Sequence, residues 1–350
     1  MKFFIYFFSA AFILVGSCAQ TKHSVKIENL RSGIKLKDSS VVMKYARTIT
    51  EDELEKIINE FASSDFLGRE AGEIGQREAA DYIKNFYIDN YINSPLANNR
   101  YKQEIAKEFF EGIILKDSEN VLAFIEGNEK PEEVIIISAH LDHLGVKDGQ
   151  IYYGADDNGS GTAALLQIAQ AFKLAETDGY KPKRSILFLH VTAEENGLYG
   201  SRYYIKHPAF PLENTVCDLN IDMIGRVDPF HEDNKYYLYL IGSDRLSTEL
   251  HYLSEKVNDT YFDLDLDYTL NDENDRNRFY YRSDHYNFAK NNIPVIFYFN
   301  GAHEDYHLPT DTPDKIDFEL LALRSKLIFA TAWQLANQDK RIVVDNLESK

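Results

Sequence analysis

Val134-Ile135-Ile136-Ile137-Ser138-Ala139-His140-Leu141-Asp142-His143 sets four β-branched apolar residues before a tail holding two histidines and an aspartate. A run of this kind, apolar without alternation, predicts a strand buried on both faces. Comparable runs recur at 186–191, 216–221, 237–241 and 294–299. Helical periodicity lies between and after them, at 162–175, 247–257 and 316–338. The expected class is therefore α/β, with a mostly parallel, mixed central sheet flanked by helices on both faces. Two earlier helices, one opened by the capping signature Thr50-Glu51-Asp52-Glu53 and one over 76–91, supply scaffold.

In open sheets of this class ligands bind beyond the carboxyl ends of the strands, so the residues after each apolar run carry the chemistry. After the first run come His140, Asp142 and His143; after 186–191 come Glu194 and Glu195; Asp222 closes 216–221, and His307 follows 294–299. Gly154-Ala155-Asp156-Asp157-Asn158 opens the helix at 162–175. One catalytic zinc takes three protein ligands and keeps a place for water, so five ligands exceed its needs. Two ions sharing one carboxylate do need five. Asp157 is the expected bridge, with His140 and Asp222 completing one position and Glu195 and His307 the other. Glu194, delivered to the same place by the ligand beside it, is the expected general base. Asp142, two residues from His140 on an extended strand, is expected to orient that histidine. His143 faces the other way and is expected to stay off the metals.

These motifs, His140-Leu141-Asp142, Gly154-Ala155-Asp156-Asp157-Asn158, Glu194-Glu195, Asp222 and His307, resemble in order those of the two-zinc aminopeptidase and glutamate carboxypeptidase family of metallopeptidases. The likeness runs from about residue 60 to 338, with Gly68-Arg69-Glu70-Ala71-Gly72 and Asn120-Val121-Leu122 also fitting. It implies two Zn²⁺ per chain, a cis peptide between Asp157 and Asn158, and an exopeptidase acting on a peptide or N-terminal aminoacyl substrate, most readily an aminopeptidase. Asp272, Glu273 or Asp275 could hold a substrate ammonium, and Arg226 or Arg282 a carboxylate, so the end of the peptide attacked stays open. A glutaminyl-peptide cyclase-like enzyme with one zinc is the alternative, followed by a non-catalytic binding module of the same fold.

Competing motifs carry less. His303-Glu304-Asp305-Tyr306-His307 matches H-E-x-x-H, but that motif requires a helix, and Gly301 and Pro309 bracket it. It is expected to be a loop presenting His307. Ser283-Asp284-His285 cannot chain nucleophile, base and orienter from adjacent positions, and Ser283 is expected to cap a short helix. Residues 154–161 lack the lysine of a phosphate loop. The acidic stretch 263–275 lacks the central glycine of an EF-hand and is expected to be a solvated loop beside the cleft.

At 350 residues one catalytic domain is expected over 49–340. Lys2 and the apolar stretch 3–15 form a signal peptide over 1–17, and Val15-Gly16-Ser17-Cys18 resembles a bacterial lipobox. Cys18 would then bear the lipid, residues 18–48 would be a tether, and the protein would be an exported lipoprotein of the bacterial envelope, periplasmic or outer-membrane, meeting the membrane only through that anchor. Cys217 is then the one remaining cysteine, which excludes an internal disulfide and reads as a buried small hydrophobe. A net charge of −18 argues against nucleic acid as a partner.

Overall fold

The computed structural model describes residues 25 and 27–347, so the expected signal peptide and Cys18 lie outside the described residues. The strands are β1 Lys102–Ile105, β2 Ser118–Ile125, β3 Lys130–His140, β4 Val146–Lys147, β5 Gln150–Ile151, β6 Arg184–Val191, β7 Thr215–Ile221, β8 Tyr237–Ile241, β9 Asp265–Asp267 and β10 Val295–Phe299. Eight of them form one mixed sheet in the order β1-β2-β6-β3-β7-β10-β8-β9, while β4 and β5 make a separate hairpin. β6, β3, β7 and β10 run parallel, β1 meets β2, β2 meets β6 and β8 meets β10 antiparallel, and β9 pairs parallel with β8. All five apolar runs named above are strands of this sheet.

Side-chain alternation shows why those runs are apolar throughout. Along β3, Ile135, Ile137 and Ala139 enter one hydrophobic cluster and Val134 and Ile136 the other. The first face is covered by helices Glu51–Phe61, Ile74–Asp89, Gly161–Thr177, Thr248–Tyr261 and Phe318–Asn337, the second by the short helices Tyr199–Lys206 and His285–Ala289. Thr50 caps the first of these helices by accepting from Glu53 N at 3.3 Å. Burial on both sides makes each such residue worth about 1.5–3 kcal/mol.

The tether expected over 18–48 is corrected at its second half. Ser39–Ala46 is a helix whose Val42, Tyr45 and Ala46 are buried in the main core, with Ile34 and Leu36 packed at its edge. Tyr45 stacks on Trp333 at 6.2 Å, and Lys37 exchanges two backbone hydrogen bonds with the Gln334 side chain. The stretch reads as polar overall, but its apolar residues stand at i, i+3 and i+4, enough for one buried stripe.

Parallel pairing sets the site. His140 pairs with Val191 and Ser138 with Asn220, so the ends of β3, β6 and β7 lie level. Tyr298 pairs with Ile221, which brings the end of β10 to the same edge. No helix among the described residues is long and apolar enough to cross a membrane.

Candidate metal centre

At this edge the loop before Gly161–Thr177 turns back over the strand ends. Gly154 adopts φ +58°, where an added Cβ would stand 2.2 Å from Asp157 O, and a Cβ on Gly161 would stand 2.5 Å from Ile221 O. Both glycines let backbone approach backbone. The Asp157-Asn158 peptide is cis. Asn158 then ties the turn to β7: its Nδ2 donates to Ile221 O at 2.8 Å, and its Oδ1 accepts from Gly161 N at 2.9 Å and Met223 N at 3.2 Å. Asp311 accepts from Asp156 N and Asp157 N, both at 3.1 Å.

Asp157 stands between two groups. Its Oδ1 is 3.3 Å from His140 Nε2, which is 3.2 Å from Asp222 Oδ1. Its Oδ2 is 3.1 Å from His307 Nε2, which is 3.1 Å from Glu195 Oε2. The five residues expected as ligands are thus together. His143 joins them against expectation: its Nδ1 is 2.8 Å from Glu195 Oε1 and 3.8 Å from Asp157 Oδ2. Ligand atoms of His140, Asp157 and Asp222 lie within 4.8 Å of one another, as do those of His143, Asp157 and Glu195. His143 was expected to face away because strand alternation was extended past His140. β3 ends there, and His143 N bonds Arg69 O instead. His307 stands 3.1 Å from both carboxylates, whereas His143 is close to Glu195 alone and 3.8 Å from Asp157, so His143 is better placed to hold Glu195 than to bind metal.

Asp142 also differs in detail. Its carboxylate is 3.8 Å from His140 Nδ1, whereas its backbone carbonyl is 3.1 Å from that nitrogen. The carboxylate instead accepts from Glu194 N at 3.2 Å. Burial pushes the Asp142 carboxyl up to about 7, against the pull of His140. Burial also pushes Glu194 well above the ordinary carboxylate range, with Asp222, Asp284 and Glu195 adding repulsion. Asp157 goes the other way, held low by His140 and His307 against the cost of its burial.

Ser283 does not cap the short helix that follows it. Asp284, not Ser283, precedes the helix His285–Ala289, and Ser283 Oγ donates to Asp222 Oδ2 at 2.6 Å. The H-E-x-x-H stretch is turn, with His303 Nε2 3.1 Å from Asp156 Oδ2, away from His307's partners. The acidic loop folds on itself: Asp272 accepts from Asn274 N and Asp275 from Phe279 N. Arg226 is tied to Asp305 at 2.9 Å. Arg282, by contrast, lines a pocket at the cluster with Glu194, Tyr306, Met223, Phe279 and Phe299.

Arg69 holds the loops in place. Buried completely, its guanidinium donates to Leu141 O, Phe61 O, Tyr153 O and Gly154 O at 2.7–3.0 Å. Burial lowers its pKa to about 10, which leaves it charged at neutral pH. Each buried carbonyl left unsatisfied costs about 1–3 kcal/mol. Arg69→Leu is therefore expected to lower unfolding stability by about 3–5 kcal/mol, read from the denaturant midpoint. A loss below about 1 kcal/mol would show that water replaces the guanidinium freely.

An open α/β sheet that gathers histidines and carboxylates at the carboxyl ends of its parallel strands has the zinc-exopeptidase fold. The sequence pattern of peptidase family M28 matches residues 120–332, and the chain belongs to that family. It is 34% identical over 184 residues to leupeptin-inactivating enzyme 1 of Streptomyces exfoliatus, covering 52% of this chain and 36% of that one. Its fold is similar to that of the LapA aminopeptidase of Legionella pneumophila, with a TM-score of 0.67 and 22% identity over 87% of this chain and 76% of that. It is also similar to a zinc aminopeptidase from Bacillus subtilis, with a TM-score of 0.64 and 16% identity over 86% and 98%. The chain spans less than two thirds of the length of the curated relatives it matches.

Proposed function

We propose that this chain is an aminopeptidase that holds two zinc ions and releases the first residue of a peptide. The observation that carries the reading is the placement of Asp157, with one carboxylate oxygen toward His140 and Asp222 and the other toward His307 and Glu195. Three nearly buried carboxylates and two imidazoles in mutual contact form a donor set suited to dications, because so many buried acids require a positive partner. His140, Asp157 and Asp222 would hold one zinc, and Asp157, Glu195 and His307 the other. When bound, such a pair supplies Lewis acidity toward the scissile carbonyl and the attacking water.

The chain's own residues supply the rest. Glu194 opens on the pocket and carries no ligand role, so its carboxylate is free to take a proton from the attacking water and return it to the leaving nitrogen. Asp142 positions Glu194 through the backbone hydrogen bond to Glu194 N. Met223, Phe279, Phe297 and Phe299 give the pocket an apolar wall suited to a large terminal side chain. The names of the Legionella and Bacillus structures support an aminopeptidase.

Metal analysis of the purified chain is expected to give two zinc ions, with cleavage of aminoacyl anilides bearing leucine or phenylalanine and none after N-acetylation. One zinc, with ring closure of N-terminal glutamine, would instead identify the cyclase-like alternative. A second reading rests on Arg282, the one Lys or Arg among the described residues lining the pocket. A guanidinium there suits a substrate carboxylate, and cleavage of N-acetylated peptides from the free carboxyl end would favour it. Export with a lipid on Cys18 belongs to the same proposal; palmitate labelling abolished by Cys18→Ala checks it.

A further inference from the structure

β7 carries an unusual face. Asp218, Asn220 and Asp222 alternate along it, so their side chains share one side of a central strand, while Cys217, Leu219 and Ile221 fill the main core on the other. Asp218 and Asn220 are completely buried. They belong to one chain of contacts that starts at Asp222. Ser283 Oγ lies 2.6 Å from Asp222 Oδ2 and 2.8 Å from Asn220 Nδ2. Ser138 Oγ lies 3.0 Å from Asn220 Oδ1 and 2.7 Å from Asp218 Oδ1.

Counting protons fixes the direction of every link. A metal-binding Asp222 is ionised and can only accept, so the single hydroxyl proton of Ser283 goes to it. Ser283 must then accept from Asn220, which turns Nδ2 toward it and leaves Oδ1 facing Ser138. Oδ1 can only accept, so the single proton of Ser138 is used there. At 2.7 Å, Ser138 Oγ and Asp218 Oδ1 still need a proton between them. Only Asp218 can supply it.

Resting on the metal reading of Asp222, we propose that Asp218 is a neutral carboxylic acid whose proton anchors a hydrogen-bond chain through Ser138, Asn220 and Ser283 that aims the Asp222 carboxylate at its metal. Asp218 is a positioning residue, remote from substrate. Its surroundings agree: among the described residues Oδ2 has no hydrogen-bond partner, and the charged group acting on it is another carboxyl, Asp284. Burial accordingly pushes the Asp218 carboxyl well above the ordinary range. An ionised carboxylate there would be buried with no cation among the described residues acting on it, which strongly disfavours the charged form.

The test uses Asp218→Asn, which keeps a neutral donor toward Ser138, and Asp218→Leu, which removes it. Zinc affinity is read by competition with a chromophoric chelator. Asp218→Asn is expected to bind within about twofold of the parent and Asp218→Leu about 10–100-fold more weakly, the range for partners that orient a ligand. Infrared difference spectra of parent minus Asp218→Asn, with and without zinc, are expected to show a protonated-carboxyl carbonyl band. Equal weakening in both variants, undiminished affinity in a folded Asp218→Leu, or absence of the band overturns the proposal. Should Asp218→Leu fail to fold, Asp218→Asn and the band decide. Failure of the parent chain to bind zinc overturns the metal reading, whereas the band in zinc-free protein tests Asp218 by itself.

Discussion

Glu194→Gln is expected to lower kcat/KM by about 10²–10⁴-fold while zinc content stays at the parental value. The amide keeps the size and most hydrogen-bonding capacity of the side chain and removes its ability to accept and carry a proton. The contacts that join Asp157, Asp222, Glu195, His140 and His307 to one another do not run through the Glu194 side chain. The backbone bond to Asp142 survives the change. The loss should fall on kcat, since proton transfer belongs to the chemical step and the apolar pocket wall is untouched. A residual rate within tenfold of the parent, at equal zinc content, would remove Glu194 as base.

The fold was readable because each central strand is buried on both faces and announces itself as an apolar run. β2 was less legible, since it opens with Ser118-Glu119-Asn120 and all three are buried in polar contacts with their neighbours. The meeting of the expected ligand residues was readable because parallel register brings strand ends level: a residue just past an apolar run has one place to go. His143 and Ser283 were misplaced for the complementary reason. Both lie where the chain has left its strand or not yet entered its helix, and no periodicity governs a side chain there. Asp311, which accepts two backbone N–H groups beside Asp157, has no local signal at all. Its role exists only once residues 155 positions apart meet.

The choice of substrate end shows the same limit. Sequence offered acids at 272, 273 and 275 and arginines at 226 and 282. Short-range hydrogen bonds absorb Asp272 and Asp275 into turns, and Asp305 neutralises Arg226, leaving Arg282 in the pocket. Composition near a site in sequence does not decide which charge faces it. Competition from neighbouring partners does.

Asp157→Asn is expected to abolish zinc binding at both positions, weakening each by more than the roughly 10–100-fold that outer partners contribute. Asp222→Ala and His307→Ala should each spare the opposite position, since among the five expected ligands Asp222 contacts His140, and His307 contacts Asp157 and Glu195. Elemental analysis after gel filtration separates these outcomes: two ions in the parent, one in either outer variant and none in Asp157→Asn. Stability gives a second readout. A ligand bound only by the folded chain stabilises it by about 4 kcal/mol at a free concentration near 1,000 Kd. The parent should therefore lose stability on chelation, and Asp157→Asn should be indifferent to the chelator because it has no zinc to lose. Retention of one tightly held ion by Asp157→Asn would mean that the two positions do not share this carboxylate. The cluster would then have to be rebuilt around His143, which stands 2.8 Å from Glu195 and could complete a position without the bridge.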